Sequence, residues 1–274
     1  MLNSSKKINK IYIEIKQTGN SKELKKLVEL IISSDNVDLA LNYLKDFGFN
    51  YEIFNYIFNK INHNSNLLQK LIDTIGLDTV IDKVICSNDI NMIIKLADNP
   101  LITNDLYTIK TLEEAIIGSN NSQNIYRFSK VKNSNKENLG LALVSLKDAI
   151  YIRKMAEDFP ILAHDLTIGI ISTGNIQEII KFLYNVRGCP VSIILSYLNL
   201  DQNGKLILIS NLLKEDIVKY HFYADALING KDLKEQDKKY IQYCQSCDQS
   251  LAKILNNDLQ LKNHVHVKVK KFTN

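Results

Sequence analysis

The sequence predicts an all-α fold, an α-solenoid of irregular helix–turn–helix repeats that extends through a single domain over residues 1–274. Three observations support this prediction. Apolar residues recur at spacings of three to four, as on one face of an amphipathic helix. Short polar stretches interrupt this pattern with a period of roughly 25–32 residues, which is typical of helical repeats. The chain has only 10 Gly, 3 Pro and no Trp, so few residues favour turns over helix.

The amino-terminal segment departs from the helical pattern. In residues 10–16, with the sequence KIYIEIK, Ile11, Ile13 and Ile15 alternate with other residues. A period of two in β-branched residues is typical of a strand. A short β-strand is therefore predicted here, and a helical interpretation of the segment stays open.

Helical repeats are predicted over residues 17–230. The most regular copies begin at Gly118, Ser145 and Ser172, which are equally spaced along the chain. In each copy a polar turn is followed by apolar residues three to four apart, and an apolar pair precedes most turns. A second helix is therefore expected to enter each turn, and stacking of successive helix pairs would complete the core. The least regular stretch, residues 131–140, is polar and is expected to form a longer loop.

Residues 199–210, with the sequence NLDQNGKLILIS, resemble the calcium loop of an EF-hand. An EF-hand uses an aspartate at its first position and a bidentate glutamate at its twelfth. Here Asn199 and Ser210 occupy those positions, which leaves Asp201 as the only charged ligand. One further step of the same length from Ser172 also places a repeat turn at Asn199. The segment is therefore interpreted as a turn at residues 201–204 rather than as a calcium site.

A carboxy-terminal helix and a second strand are predicted within residues 231–274. In residues 264–270, with the sequence HVHVKVK, three valines alternate with polar residues, as expected of a strand. Strands at the two ends of the chain leave two arrangements open, pairing within one molecule or pairing between molecules. Pairing between molecules would produce oligomers.

The stretch Thr173–Leu183, with the sequence TGNIQEIIKFL, resembles the second helix of an ankyrin repeat. In that family a Gly-Asn or Gly-His turn opens a helix with this order of apolar residues and lysine. The preceding helix departs from the family, because Ile170 and Ile171 stand where ankyrin repeats have small alanines. Bulky residues there favour the looser packing of HEAT-like repeats. The resemblance to an ankyrin-like or HEAT-like repeat protein implies protein–protein recognition, and no catalytic residue carries over.

One position of the repeats is almost always cationic. In a stack of repeats equivalent positions line up, so these residues are predicted to form a basic stripe along one face. Such a stripe is a candidate binding site for an acidic protein segment or a phosphate backbone, and a solvated outer face is the alternative. The stripe residues are Lys26, Lys70, Lys95, Arg127, Lys154 and Lys181.

Cys244 and Cys247 form a C-x-x-C pair, and His264 and His266 follow downstream. Two thiolates and two imidazoles would complete the tetrahedral coordination of zinc. The spacing of the two histidines is tighter than in zinc fingers, however, and the segment between the pairs lacks a knuckle glycine. No metal or other cofactor is therefore expected, and the four residues are kept as the alternative zinc site.

Charge and motifs limit the classes of function. The net charge is +4, and the basic excess lies at the two ends of the chain. Arginine is rare, which disfavours base-specific recognition of nucleic acids. The sequence contains no signature of nucleotide binding, of a zinc protease or of a serine hydrolase, so no enzymatic activity is expected.

The remaining features of composition concern location. No apolar run is long enough for a signal peptide or a membrane span, and four cysteines without secretory features suggest free thiols in a reducing compartment. The abundance of Ile, Asn and Lys is typical of an AT-rich genome. The sequence therefore predicts a cytoplasmic protein–protein interaction module or scaffold without enzymatic activity. Non-sequence-specific nucleic-acid binding through the basic stripe is the alternative.

Overall fold

A computed structural model describes residues 2–18, 23–61 and 64–247, and the regular secondary structure of these residues is helical throughout. The prediction of an all-α fold is confirmed. Short 3-10 turns, such as Pro160–Leu162, accompany the α-helices. The helices are α1 (Leu2–Thr18), α2 (Leu24–Ser33), α3 (Val37–Phe47), α4 (Tyr51–Ile61), α5 (Ser65–Ile75), α6 (Leu77–Cys86), α7 (Ile90–Ala97), α8 (Leu106–Gly118), α9 (Ser122–Phe128), α10 (Lys136–Ser145), α11 (Ala149–Asp158), α12 (Ala163–Ser172), α13 (Ile176–Asn185), α14 (Val191–Tyr197), α15 (Gln202–Leu212), α16 (Ile217–Ile228) and α17 (Leu233–Cys247).

Several pairs of helices are joined by the same kind of tight turn. At the turn from α6 to α7, the Ser87 hydroxyl donates to the Val84 carbonyl at 2.6 Å. Asn88 follows in the left-handed conformation, with φ of 52°, which asparagine tolerates better than most residues. Asp89 then caps α7 by accepting the Asn91 N–H at 2.8 Å. The left-handed residues of these turns are Asp35, Asn88, Asn120, Lys147, Gly174 and Asn199.

The spacing of the turns matches the predicted period, but one turn is displaced. From Asn88 onwards, successive left-handed residues recur at the spacing expected of helical repeats. The turn predicted at residues 201–204 lies earlier, at Leu198 and Asn199. Asp201 caps α15 and accepts the Gly204 N–H at 2.6 Å, so Gly204 already belongs to the first helical turn. The prediction missed that an aspartate in this position starts a helix.

Each pair consists of a first helix before the turn and a second helix after it, and helices of one kind pack on one another. In the second half of the chain, α10 contacts both α11 and α12, and α11 contacts both α12 and α13. First helices therefore pack on first helices, and second helices pack on second helices. The core lies between them and contains fully buried side chains such as Leu143, Ile152, Ile170 and Ile179.

The helices form two compact units, which divide after Asn135. The first unit contains α1–α9 and the second contains α10–α17. The division lies in the stretch 131–140 that the sequence marks as irregular. Its first half is a loop, whereas Lys136 already begins α10. Each unit has a buried core of its own, with Phe54 in the first and Phe182 in the second.

The strand predicted at residues 10–16 is wrong, because these residues lie within α1. Ile8, Tyr12 and Ile15 are buried at helical spacing, whereas Ile13 is 54% exposed. The period-two alternation of isoleucines therefore does not decide the structure of this segment. The helical face that packs includes Ile8 and Tyr12, and burial of this face favours the helix over a strand. The strand predicted at residues 264–270 lies outside the described residues.

Candidate interaction surface

The stripe residues do not all occupy equivalent positions. Five of them lie on the second helices of their pairs. Lys26 lies on α2, which precedes the turn at Asp35 and is therefore a first helix. The five are Lys70 on α5, Lys95 on α7, Arg127 on α9, Lys154 on α11 and Lys181 on α13.

In the first unit, stripe cations bind acceptors of the protein itself. Lys70 forms an ion pair with Asp38 at 3.0 Å, and both side chains are exposed. Arg127 donates from Nη2 to Asn91 Oδ1 at 2.6 Å. In both cases the acceptor lies at the start of the preceding second helix, so the cation connects two successive helix pairs. The exposed ion pair contributes at most about 1 kcal/mol to the free energy of unfolding.

Lys95 connects α7 to the end of α4. Its Nζ donates to the Asn59 carbonyl at 2.9 Å and lies 5.7 Å from the centre of the Phe58 ring. A lysine at this place satisfies a carbonyl near the helix end and interacts favourably with the helix dipole. Partial burial lowers the pKa of Lys95. Its contacts therefore stabilise the packing of these two helices.

In the second unit, one carboxylate connects two second helices. Glu178 on α13 accepts from Arg153 Nε on α11 and from Lys181 Nζ, both at 2.7 Å. Arg153 also donates to Glu157 at 2.5 Å. Burial raises the pKa of Glu178, but the hydrogen bonds from Arg153 and Lys181 outweigh burial, so its pKa lies below the ordinary value.

The last two stripe residues are Lys154 and Lys26. Lys154 lies over the Tyr151 ring, 4.9 Å from its centre, at the distance of a cation–π contact. Lys26 is exposed on α2. A partner that bound the stripe would compete with internal contacts at most of its positions. Recognition of an acidic segment or a phosphate backbone by the stripe stays a prediction.

A second surface position differs in character between the two units. It lies on the first helix of a pair, six residues before the left-handed residue of the turn. In the first unit this position holds the exposed residues Glu29, Asp82 and Glu114. In the second unit it holds three residues that we call the aliphatic row, namely Leu141, Ile168 and Ile193. Leu141 is 53% exposed and Ile168 is 62% exposed, whereas Ile193 is half-buried.

The aliphatic row crosses helices that pack directly on one another. α10 contacts α12, and α12 contacts α14. Glycines permit this approach, because a Cβ on Gly140 would lie 3.3 Å from Leu166, and a Cβ on Gly169 would collide with Val144. The row residues Leu141 and Ile168 are the chain neighbours of these glycines. They therefore occupy equivalent exposed positions on two helices that contact each other.

The sequence contains a signal for this surface that the repeat pattern alone does not reveal. Equal steps along the chain lead from Glu114 to Leu141 and from Leu141 to Ile168, with the same spacing as Ser145 and Ser172. The change from an acid to aliphatic residues is visible at that position. From sequence alone, however, a leucine or isoleucine at helical spacing is interpreted as a core residue. Only the structure shows that this position faces water.

A buried polar cluster joins four helices of the second unit. Lys219 on α16 donates to two backbone carbonyls at the end of α13, at 2.6 and 2.8 Å. Asp237 on α17 accepts from the Ser192 N–H at 3.4 Å and from the Tyr223 hydroxyl at 3.0 Å. Burial raises the pKa of Asp237 and of the nearby Cys189 thiol. The buried side chains of Lys219 and Asp237 therefore both have hydrogen-bond partners inside the core, as expected of a structural cluster.

The alternative zinc site lies only partly within the described residues. Cys244 and Cys247 are on α17, whereas His264 and His266 lie outside the described residues. Within residues 2–18, 23–61 and 64–247, no three His, Cys, Asp or Glu side chains are grouped to hold a metal ion. Zinc binding by the four residues stays a prediction.

No family model, curated protein or solved structure matches this chain. The resemblance to ankyrin-like or HEAT-like repeats therefore stays a prediction. For the part of the chain that the structure describes, no helix combines the length and the apolar character needed to cross a membrane. Function is therefore inferred from the residues of the two surfaces described above.

Proposed function

We propose that this chain is a non-enzymatic protein–protein interaction module of the cytoplasm, built as an α-solenoid of helix pairs, which binds another protein through the aliphatic row. The observation that carries the proposal is the contrast at one surface position, which holds acids in the first unit and aliphatic residues in the second. Outward positions of surface helices usually carry polar side chains. Adjacent exposed aliphatic groups are typical of protein–protein interfaces.

The solenoid arrangement is supported by the packing of alternate helices. First helices pack on first helices and second helices on second helices, and the left-handed turns recur with the period of the sequence pattern. Stacking of this kind lets each repeat contact mainly its neighbours, and it produces extended binding surfaces.

Burial of the aliphatic row against a partner would be favourable. Leu141 and Ile168 are both more than half exposed to water. Complete burial of such a side chain contributes about 1.5–3 kcal/mol relative to full exposure, so roughly 1 kcal/mol remains available at each. Two adjacent groups of this kind suit the centre of an interface, with polar residues around it.

The cysteines support a reducing compartment. Cys86 is exposed, Cys189 is buried, and both are free thiols. Cysteines generally stay reduced in the cytosol. The burial that raises the Cys189 pKa also makes this thiol a poor nucleophile, which agrees with a structural rather than a catalytic role.

The proposal is tested with tagged full-length protein as bait in native lysate, of which one half is treated with nuclease and the other half is not. Three baits are compared: the wild type, the double variant Leu141→Glu with Ile168→Glu, and the control variant Lys154→Gln with Lys181→Gln. The first variant introduces the acids that the first unit carries at the same position. A discrete protein retained by the wild type and by the control, and at least tenfold less by the row variant, is the expected result.

Circular dichroism of the three baits shows whether the variants are equally folded. Retention of the same protein by the row variant would contradict the proposed docking surface. If the baits recover only material that nuclease removes, nucleic-acid binding through the stripe replaces the proposal, and its affinity should fall steeply with salt.

A further inference from the structure

We propose that Lys219 and Asp237, on the helix pair α16 and α17, position α14 in the docking surface, so that the aliphatic row is complete only while this pair is packed in place. The inference rests on the proposed function, because Ile193 on α14 is the third residue of the row. Three observations carry it: the missing cap of α14, the side chains that replace this cap, and the contact of α14 with a neighbouring helix of the row.

α14 is short and has no cap of its own. It consists of the seven residues Val191–Tyr197, and an isolated helix of this length is not stable in water. Pro190 occupies the N-cap position, and no side chain there accepts a hydrogen bond from the first turn. By contrast, α11 and α13 are capped by Asp148 and Asn175, which directly precede them. The first N–H groups of α14 therefore need acceptors from another part of the chain.

Asp237 on α17 supplies acceptors for the first turn of α14. Its carboxyl group accepts the Ser192 N–H at 3.4 Å, and it also accepts hydrogen bonds from the Ser192 hydroxyl and the Val191 N–H. The Tyr223 hydroxyl on α16 donates to the same carboxyl group at 3.0 Å. Aspartate is one of the usual N-cap residues, because its oxygens satisfy the free N–H groups of the first turn. Here a side chain from another helix performs this task.

Lys219 on α16 contacts the other side of the same junction. Its ammonium group donates to the Leu183 and Val186 carbonyls at the end of α13, at 2.6 and 2.8 Å. A cation is favourable at a helix carboxy terminus, where the last carbonyls have no partner within the helix. Lys219 is 2% exposed and Asp237 is 7% exposed, so water cannot replace these hydrogen bonds unless the helices separate. We call Lys219 and Asp237 the clamp, because together they hold both ends of residues 186–190, which connect α13 to α14.

The clamp acts on the aliphatic row through α14. This helix contacts both α12, which carries Ile168, and α17, which carries Asp237. Ile193 follows Ser192 in the chain and lies in the first turn of α14, which is the turn that Asp237 caps. Without the cap this turn frays, and Ile193 loses its fixed position. Leu141 and Ile168 lie on α10 and α12, which pack on each other directly, so their positions do not depend on the cap.

The inference is tested by hydrogen exchange of the full-length chain, measured by mass spectrometry. The variants are Asp237→Ala, the milder Asp237→Asn, and the matched control Asp148→Ala, which removes the cap of α11 in the same unit. The amides of α14 should exchange at least tenfold faster in Asp237→Ala and about threefold faster in Asp237→Asn, because asparagine keeps one acceptor oxygen. The amides of α10 should keep the wild-type rate in both. The control should accelerate exchange in α11 and leave α14 unchanged.

The second half of the clamp is tested by Lys219→Met. Methionine keeps an unbranched apolar chain of similar length and removes the ammonium group that binds the Leu183 and Val186 carbonyls. Exchange should accelerate in residues 186–190 and in α14, again without a change in α10. The same rate as in the wild type would show that Lys219 has no part in positioning α14.

Capture from native lysate shows whether the position of α14 matters for docking. Asp237→Asn is used as bait beside the wild type and Asp148→Ala. It should retain at least threefold less of the discrete protein than the wild type, whereas Asp148→Ala should retain as much as the wild type. A variant that only destabilised the fold would not lower capture while α10 kept its wild-type exchange rate.

Three outcomes would overturn the inference. If α14 keeps the wild-type rate in both Asp237 variants, Asp237 does not position it. If α10 accelerates as much as α14, the clamp supports the whole unit rather than one helix of the row. If α14 loosens but capture is unchanged, α14 has no part in docking.

The failure of this inference differs from the failure of the proposed function. If the discrete protein is retained by the variant Leu141→Glu with Ile168→Glu, the docking surface itself is contradicted. If that variant loses the protein but both Asp237 variants retain it fully, only the role of the clamp is contradicted. The exchange rates are measured without a partner, so they report on α14 in either case.

Discussion

Gly169 lies where α12 comes closest to α10 in the second unit. A Cβ at this position would collide with the side chain of Val144, so Gly169→Ala forces the two helices apart or Val144 out of its rotamer. Overpacking of this kind costs about 1–3 kcal/mol. We expect a corresponding loss in the free energy of unfolding, measured by urea denaturation followed by circular dichroism.

The control for this substitution is Gly118→Ala at the end of α8. No described heavy atom lies within 4 Å of a Cβ added at Gly118. Alanine favours helix over glycine by up to about 1 kcal/mol, so this variant should be as stable as the wild type or slightly more stable. An unchanged denaturation midpoint for Gly169→Ala would show that the contact with Val144 relaxes without cost.

Glu178 is expected to contribute stability that depends on pH. Its folded-state pKa lies below the ordinary 4.5, so its contribution is present above pH 4.5 and is lost as the pH falls through the lowered value. The charge-assisted hydrogen bonds of this buried carboxylate suggest that Glu178→Gln lowers the free energy of unfolding by about 2 kcal/mol at pH 7. The difference from the wild type should shrink below pH 4.5 in urea titrations.

Lys181→Gln is the matched control for Glu178. The Lys181 side chain is 55% exposed, whereas that of Arg153 is 14% exposed. Removal of this exposed partner should change stability by no more than about 0.5 kcal/mol, because water solvates the Lys181 ammonium group and Arg153 still donates to Glu178. An equal loss for Glu178→Gln at every pH would show that packing, rather than charge, is responsible.

The repeated turn supplies a prediction at the scale of the helix pair. Lys147 and Gly174 are the left-handed residues of consecutive turns, with φ of 54° and 68°. Since a Cβ is unfavourable in this conformation, Lys147→Gly should stabilise the protein by about 0.5 kcal/mol. Gly174→Ala should destabilise it by about 1 kcal/mol.

These two substitutions test the conformational preference of the backbone, separately from side-chain packing. No described heavy atom lies within 4 Å of a Cβ added at Gly174, so steric contact with other side chains is not involved. Both changes are measured by chemical denaturation under the same conditions. If Gly174→Ala were neutral, the turn would adopt another conformation in solution.

The elements were predictable from sequence where the signal is local. Helical periodicity and the Asn or Asp caps depend on neighbouring residues, so most helices and turns follow from the pattern. At residues 10–16 the alternation of isoleucines was misleading, because burial of Ile8 and Tyr12 decides the face that packs. The aliphatic row was not predictable, since Leu141 and Ile168 fit the same apolar spacing as core residues.

At the scale of the whole molecule, the two compact units predict separate responses to local damage. Gly169→Ala affects the contact between α10 and α12, which belong to the unit that follows Asn135. We expect hydrogen exchange to accelerate in the helices of this unit and to stay unchanged in α2–α9. Mass spectrometry of the wild type and the variant measures both units in one sample. Equal acceleration in both would show that the chain unfolds as one cooperative body.

The three-residue turn between helices has a consequence for how such a chain changes in length. Its hydroxyl, left-handed residue and cap satisfy backbone groups within a few residues of the turn, as at Ser87, Asn88 and Asp89. A duplicated or deleted segment of one period therefore carries a complete junction with it. Helix pairs can therefore be added or removed here while the residues at surface positions differ between pairs, as Glu114 and Leu141 do.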